Sequence, residues 1–207
     1  DIPRAAQFFG GAGRAYMAEY GIPAETFGLI AVKARRHAAR NPNAVFRDEV
    51  TLEEVMASPT VFAPMTRLQC CPPTCGAAAA ILCSEAFARK HGLDMRVVIK
   101  TQSMTTDTAI TFESRDMRHV VGYDMTARSA REVYEKAGIG PEHVDVVELH
   151  DCFTANELIT YEGLGLTPPG TADKFIRDGD NTYGGRCVTN PSGGLLSKGH
   201  PLGATGL

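Results

Sequence analysis

No apolar run in the 207-residue sequence approaches the roughly 18 residues that a membrane-spanning helix needs. The longest candidate, Ala77 to Cys83, is short and Ala-rich, so a membrane span is not expected. A basic excess is missing too: 21 Lys and Arg stand against 24 Asp and Glu, for a net charge of −3. Without surplus cations to neutralise phosphates, nucleic acid is not expected as a partner. There is no internal repeat, no low-complexity tract, and no signal-peptide pattern. The sequence begins at Asp1 without a Met and stops at Leu207 just after a Gly-rich turn. Both ends read as cut, which would put any terminal targeting signal outside this stretch.

The six cysteines, at 70, 71, 75, 83, 152 and 187, lack the setting of a disulfide framework. The chain is long enough for an ordinary core and carries no secretory signal, so reduced thiols in an intracellular compartment are expected. Gln69-Cys-Cys-Pro-Pro-Thr-Cys75 has neither a second CxxC nor a His pair at ligand spacing, so no metal is expected there. Small buried residues near a strand are the plainer reading. Asp178, Asp180 and Asn181 lack the later Glu of a calcium loop and read as a turn. His37, His91, His119 and His143 fall in exposed-looking helical ends or loops and receive no role.

What is present suits a globular domain: 43% hydrophobic and 22% charged residues. Pro23 to Arg40 has apolar residues at helical spacing, with Glu25 at one end and Arg35, Arg36 and Arg40 at the other, as the helix dipole favours. Thr51-Leu-Glu-Glu54 fits a capping box. Ala77 to Leu82 reads as a strand, Ser84 as the cap of a helix ending near Gly92, and Val97 to Lys100 as a second strand. A further unit follows. Thr126 to Ala137 reads as a helix closed by Gly138, Val144 to Leu149 as a strand buried on most sides, and Asn156 to Leu164 as a helix. Alternation of this kind predicts α/β layers, with a boundary within 112–122.

Two motifs carry chemistry. His150-Asp-Cys-Phe153 sits where a strand gives way to a helix, the place where open α/β sheets collect reactive groups. Asn190-Pro-Ser-Gly-Gly194 leads to Lys198-Gly-His200-Pro201, with glycines at 193, 194, 199, 203 and 206 permitting sharp turns around His200. Pro201 can open a helix whose dipole faces the same site. A lone His after a strand is more often structural, and a lone Cys more often an inert buried thiol. Two His and one Cys, all in turn contexts, point instead to nucleophile, base and oxyanion work at one site.

The stretches VDVVELHDCFTANELITYEGLGL and GDNTYGGRCVTNPSGGLLSKGHPLGATGL closely resemble thiolases of the sterol carrier protein X type. The resemblance also takes in EVMASPTVFAPMTRLQCCP, GAAAAILCSEAF and VVGYDMTARSAREVYEKAG. HDCF, in place of the NEAF of other thiolases, marks that subfamily. The resemblance implies an α/β fold of the layered αβαβα thiolase type, here incomplete. Residues 1–115 would be the later part of the first half, including part of its loop region, and 116–207 the first part of the second. It implies acyl transfer between CoA thioesters through a cysteine acyl-enzyme. Acyl-CoA and CoA would be substrates, with no bound cofactor. A homodimer and a peroxisomal, lipid-degrading setting are implied as well. His200 is then expected as the base for the nucleophile, His150 as the holder of the thioester oxygen, and Cys152 as a second acid/base. Phe8 and Phe9 are expected in an acyl pocket within a loop region, and Ser192, Gly193 and Gly194 against substrate.

The sequence also departs from the family. The nucleophile's motif is absent, and Cys75 stands where the family has Asp in DGAAA. A thiolase-like protein that binds acyl-CoA or lipid without turnover is therefore the alternative.

Overall fold

The computed structural model describes residues 2–207. Helix α1 (Arg4–Tyr20) turns Ala6, Gly10, Ala12, Gly13 and Tyr16 inward. Helix α2 (Glu25–Ala38) buries Phe27, Ile30, Ala31 and Ala34, and its terminal charges fall as the dipole favours. Helix α3 (Leu52–Ala57) opens on the expected capping box: the Glu54 N–H donates to Thr51 Oγ1 at 3.1 Å and the Thr51 N–H to Glu54 Oε2 at 2.7 Å. Strands β1 (Thr60–Phe62) and β2 (Met65–Thr66) form an antiparallel pair.

Helix α4 (Glu85–Lys90) is capped by Ser84 as predicted. Two short helices, α5 (Ile110–Glu113) and α6 (Met117–Val120), lead to α7 (Tyr123–Ala137), which Gly138 closes. Strand β3 (Val146–Val147), helix α8 (Thr154–Gly163), helix α9 (Ala172–Arg177), strand β4 (Val188–Thr189) and helix α10 (Gly194–Ser197) complete the order. Strands β3 and β4 run parallel, with Val146 opposite Val188 and Val147 opposite Thr189.

The core forms where α1 and α2 pack on α8. Phe27, Ile30, Leu158, Tyr161, Met65 and Leu166 are fully enclosed there. A charged pair lies inside it. Lys33 of α2 meets Glu157 of α8, both buried, and Lys33 Nζ also donates to Thr189 Oγ1 at 2.7 Å. The pair bonds α2, α8 and β4 to one another. Removing one member leaves the other charge uncompensated in a dry setting, so Lys33→Met is expected to destabilise the intact parent by about 3–5 kcal/mol. Denaturant unfolding measures this, and a loss near zero would mean that Glu157 finds another partner.

Several expectations change. Ala77–Leu82 and Val97–Lys100 are unpaired rather than strands, with Ile81 98% and Val97 91% exposed. A strand exists through hydrogen bonds to a neighbour, and among the described residues these segments have none. Within Val144–Leu149 only Val146–Val147 pairs, and Val146 is 55% exposed, so the run is not buried on most sides. Phe8 and Phe9 lie in helix α1, whose small residues Gly10, Ala12 and Gly13 face inward. Residues after His200 make turns rather than a helix begun by Pro201. Cys75 is exposed and Cys70 and Cys71 only partly buried. His37, which looked exposed, is fully enclosed: its Nδ1 meets the Asn190 carbonyl at 3.0 Å and its Nε2 meets Thr182 Oγ1 at 2.7 Å.

Candidate active site

Because β3 and β4 are parallel, the corners that follow them lie at the same edge. One is His150–Phe153, the other Asn190–Gly194. Asn190 ties them together. Its N–H donates to the Val147 carbonyl at 2.7 Å, and its Oδ1 accepts from the Leu149 N–H at 2.8 Å. Asn156 Nδ2 donates to the His150 carbonyl at 2.5 Å. Glu148 accepts from both the N–H and the hydroxyl of Ser192, each at 2.8 Å. None of these positioning residues was predicted. Asn156 was foreseeable, since an Asn in the first turn of a helix commonly bonds back to the preceding corner.

Gly193 and Gly194 have φ of +98° and +60°. A Cβ on Gly193 would fall 2.5 Å from that of Ala38, and one on Gly194 would strike the Asp151 carboxyl. The turn is thus wedged between α2 and the HDCF corner, which only glycine allows.

His150 and His200 face each other with ring centroids 5.0 Å apart and planes at 82°. They line a cleft of about 470 Å³ together with Glu148, Leu149, Ser192 and Leu202, among others. His200 is largely buried, and His150 is exposed. Both are held below the ordinary histidine value. For His200 the causes are burial, then the nearby His150 and Lys198; for His150 the cause is the protein wall around it. Both are therefore neutral imidazoles near pH 7. The tautomer of His200 follows from its partner. The Thr205 hydroxyl donates its single proton to the Pro201 carbonyl at 2.8 Å, so it accepts from His200 Nδ1–H at 2.9 Å. That leaves Nε2 with a free lone pair, the form a general base requires.

Cys152 belongs to the same corner but lies behind the cleft, 5% exposed. An extended segment runs past it: Cys70 pairs antiparallel with Phe153, the Cys71 N–H donates to the Cys152 carbonyl at 2.9 Å, and Pro73 bridges His200. Cys152 and His200 therefore sit two residues, or about 7 Å, apart along that segment. Burial, then the Cys71 thiol and Asp151, push the Cys152 thiol far above its ordinary range. It stays protonated, a proton donor rather than a thiolate.

The structure thus brings His150, His200 and Ser192 together at the cleft, while Cys152, Gly193 and Gly194 are not among the residues that line it. Phe9 reaches the corner by stacking on Phe153 at 4.9 Å. Phe8 is exposed, and neither phenylalanine lines the cleft. Among the described residues no three His, Cys, Asp or Glu side chains are placed to hold a metal.

Comparison with known proteins gives this arrangement its context. Residues 107–207 match a family model described as thiolase C-terminal domain-like. The chain is 54% identical over 206 residues to sterol carrier protein 2 of Homo sapiens, covering 99% of this chain and 38% of that protein. It is 46% identical over 191 residues to the benzoylsuccinyl-CoA thiolase subunit BbsB of Thauera aromatica, covering 92% of this chain and 49% of that one. A solved structure titled Ltp2-ChsH2(DUF35) aldolase superposes with a TM-score of 0.76 at 28% identity, covering 95% of this chain and 52% of that chain. The chain thus spans half or less of the length of these curated relatives. Its α/β fold is thiolase-like, and the similarity to sterol carrier protein 2 extends over 206 of the 207 residues, so the chain is similar to thiolases throughout its length.

Proposed function

We propose that the protein carrying this chain is an acyl-CoA thiolase that cleaves or forms 3-ketoacyl-CoA through a cysteine acyl-enzyme. The observation that carries the reading is the pair of histidines, His150 and His200, facing each other across one cleft where two parallel strands end. In the cleavage direction, His200 Nε2 takes the proton of a nucleophilic thiol, and the thiolate attacks the 3-keto carbonyl. The C2–C3 bond breaks, leaving the acyl group on sulfur and an enolate on the departing CoA thioester. His150 holds the oxygen of that thioester as its charge grows, a contribution of about 10²–10³ in rate. Cys152 gives its proton to C2, which suits a thiol held protonated. CoA then takes the acyl group from the enzyme.

None of this chain's cysteines stands at the family's nucleophile motif, so the nucleophile is assigned to another part of the parent protein. Ser192 of the glycine-rich turn lies against the thioester, and Gly193 and Gly194 give that turn its shape. CoA enters as substrate, and no further cofactor is needed by this chemistry. The resemblance to sterol carrier protein X thiolases supports a homodimer acting in lipid degradation of the peroxisomal kind. Among the described residues no helix is long and apolar enough to cross a membrane.

The test uses the intact parent with 3-ketoacyl-CoA substrates of several chain lengths. Mass spectrometry should find an acyl adduct on one cysteine, and CoA should then release it as a shortened acyl-CoA. Binding of a 3-ketoacyl-CoA with neither adduct nor turnover at any chain length would reject catalysis and favour a non-catalytic acyl-CoA or lipid binder.

A further inference from the structure

Asp151 lies between His150 and Cys152 and has no place in the chemistry above. It is 0% exposed. Its Oδ1 accepts from the Leu195 N–H at 2.7 Å, and its Oδ2, pressed against the Gly194 backbone, has no hydrogen-bond partner. Leu195 lines the cleft. The Asp151 side chain is therefore the direct side-chain link from the HDCF corner to the Gly193–Leu195 turn. We propose that Asp151 is a positioning residue, which holds the His150–Cys152 corner against the cleft floor and does so as a neutral carboxylic acid. This rests on the thiolase reading only for what it positions.

The charges buried around Asp151 favour its neutral form. From α2, Lys33 and His37 face this region; from α8, Glu157 and Tyr161; from the extended segment, Cys71; and from its own corner, Cys152. Lys33 is already matched by Glu157. His37 is held below its ordinary value by burial, and Tyr161, Cys71 and Cys152 are held above theirs, so none supplies a counter-charge. An ionised Asp151 would be a second buried carboxylate with one oxygen unbonded, an expensive state. In line with this, burial and then the Glu157 charge lift its carboxyl to about 8.

A carboxyl raised in the folded state favours folding fully below its ordinary value, and that contribution fades as pH rises toward about 8. His37, His150 and His200, held below their ordinary value, work in the opposite sense, so the Asp151 contribution is read against Asp151→Asn, which is neutral throughout and still able to accept from Leu195. The wild-type melting temperature minus that of Asp151→Asn should fall from pH 5 to pH 8, giving the two proteins different melting slopes.

Turnover separates positioning from simple support of the fold. Asp151→Asn should keep kcat within about threefold of wild type, whereas Asp151→Ala, with the Leu195 N–H orphaned, should lose about 10² in kcat through displacement of the reacting groups. KM should change little in either. Iodoacetamide labelling of Cys152, followed peptide by peptide, should quicken in Asp151→Ala and not in Asp151→Asn. A folded Asp151→Asn protein as slow as Asp151→Ala would overturn the neutral acid, as would an unchanged melting slope. Full activity and unchanged labelling in Asp151→Ala would overturn positioning. If the wild-type parent has no turnover at all, the thiolase reading fails, and the melting and labelling comparisons still decide the role of Asp151.

Discussion

His200→Ala in the intact parent is expected to slow acyl-enzyme formation by about 10²–10⁴, the range typical for loss of a general base. The structure supplies the reason at the level of one lone pair. Thr205 spends its proton on Pro201 and accepts from His200 Nδ1, which leaves Nε2 as the free acceptor in the cleft. Without it the nucleophile's thiol keeps its proton, and the thiol attacks far more slowly than the thiolate. Rapid-quench mass spectrometry reads the first step directly. The adduct should accumulate slowly, with no burst. Thr205→Val should give a milder loss, since the ring remains but its tautomer is no longer set. An adduct formed at the wild-type rate in His200→Ala would remove His200 from the first step.

Cys152→Ala should fail at a different point. The nucleophile and His200 remain, so an acyl-enzyme should still form from a ready acyl-CoA donor. Thiolysis and condensation both require a proton moved at C2, and these should fall by about 10²–10⁴. The protonated state of Cys152 bears on direction as well. A thiol held so far above its ordinary range gives a proton to an enolate more readily than it removes one from an acyl-CoA. In steady state the variant should therefore show a low kcat alongside a normal acylation step. Turnover at the wild-type level would reduce HDCF to a structural corner.

These effects bear on how much could be read from residue order alone. Helices with clear apolar periodicity and marked ends were legible: Pro23 to Arg40 contains α2, and the Thr51 box and the Gly138 stop fall where expected. The pairing of HDCF with the glycine-rich turn was legible too, because both hold groups that turns alone do not require. Segments whose state depends on a distant neighbour were not. Val97–Lys100 has the composition of a strand and nothing among the described residues to pair with, since composition records propensity and not partners. The residues that hold the site in place were hidden for a related reason. Asn190, Glu148 and Thr205 act through contacts set by backbone geometry, and His37 looked like a helix-end histidine until the turn at Asn190 folded over it.

The extended segment from Cys70 to Pro73 touches the Cys152 corner along one edge and His200 along the other. On the proposed mechanism it is a common hinge pin for two chemical steps that are kept apart in time. Any substitution that shifts it moves proton donor and base together, so their separate effects cannot be tuned independently from this position. A double-mutant cycle joining Pro73→Ala with changes at Cys152 and at His200 should show coupling to both, of roughly 0.5–3 kcal/mol. Evolution of a new substrate range in this fold would then proceed more freely through the cleft's outer wall, at Leu202 or Glu148, than through the strand beneath it.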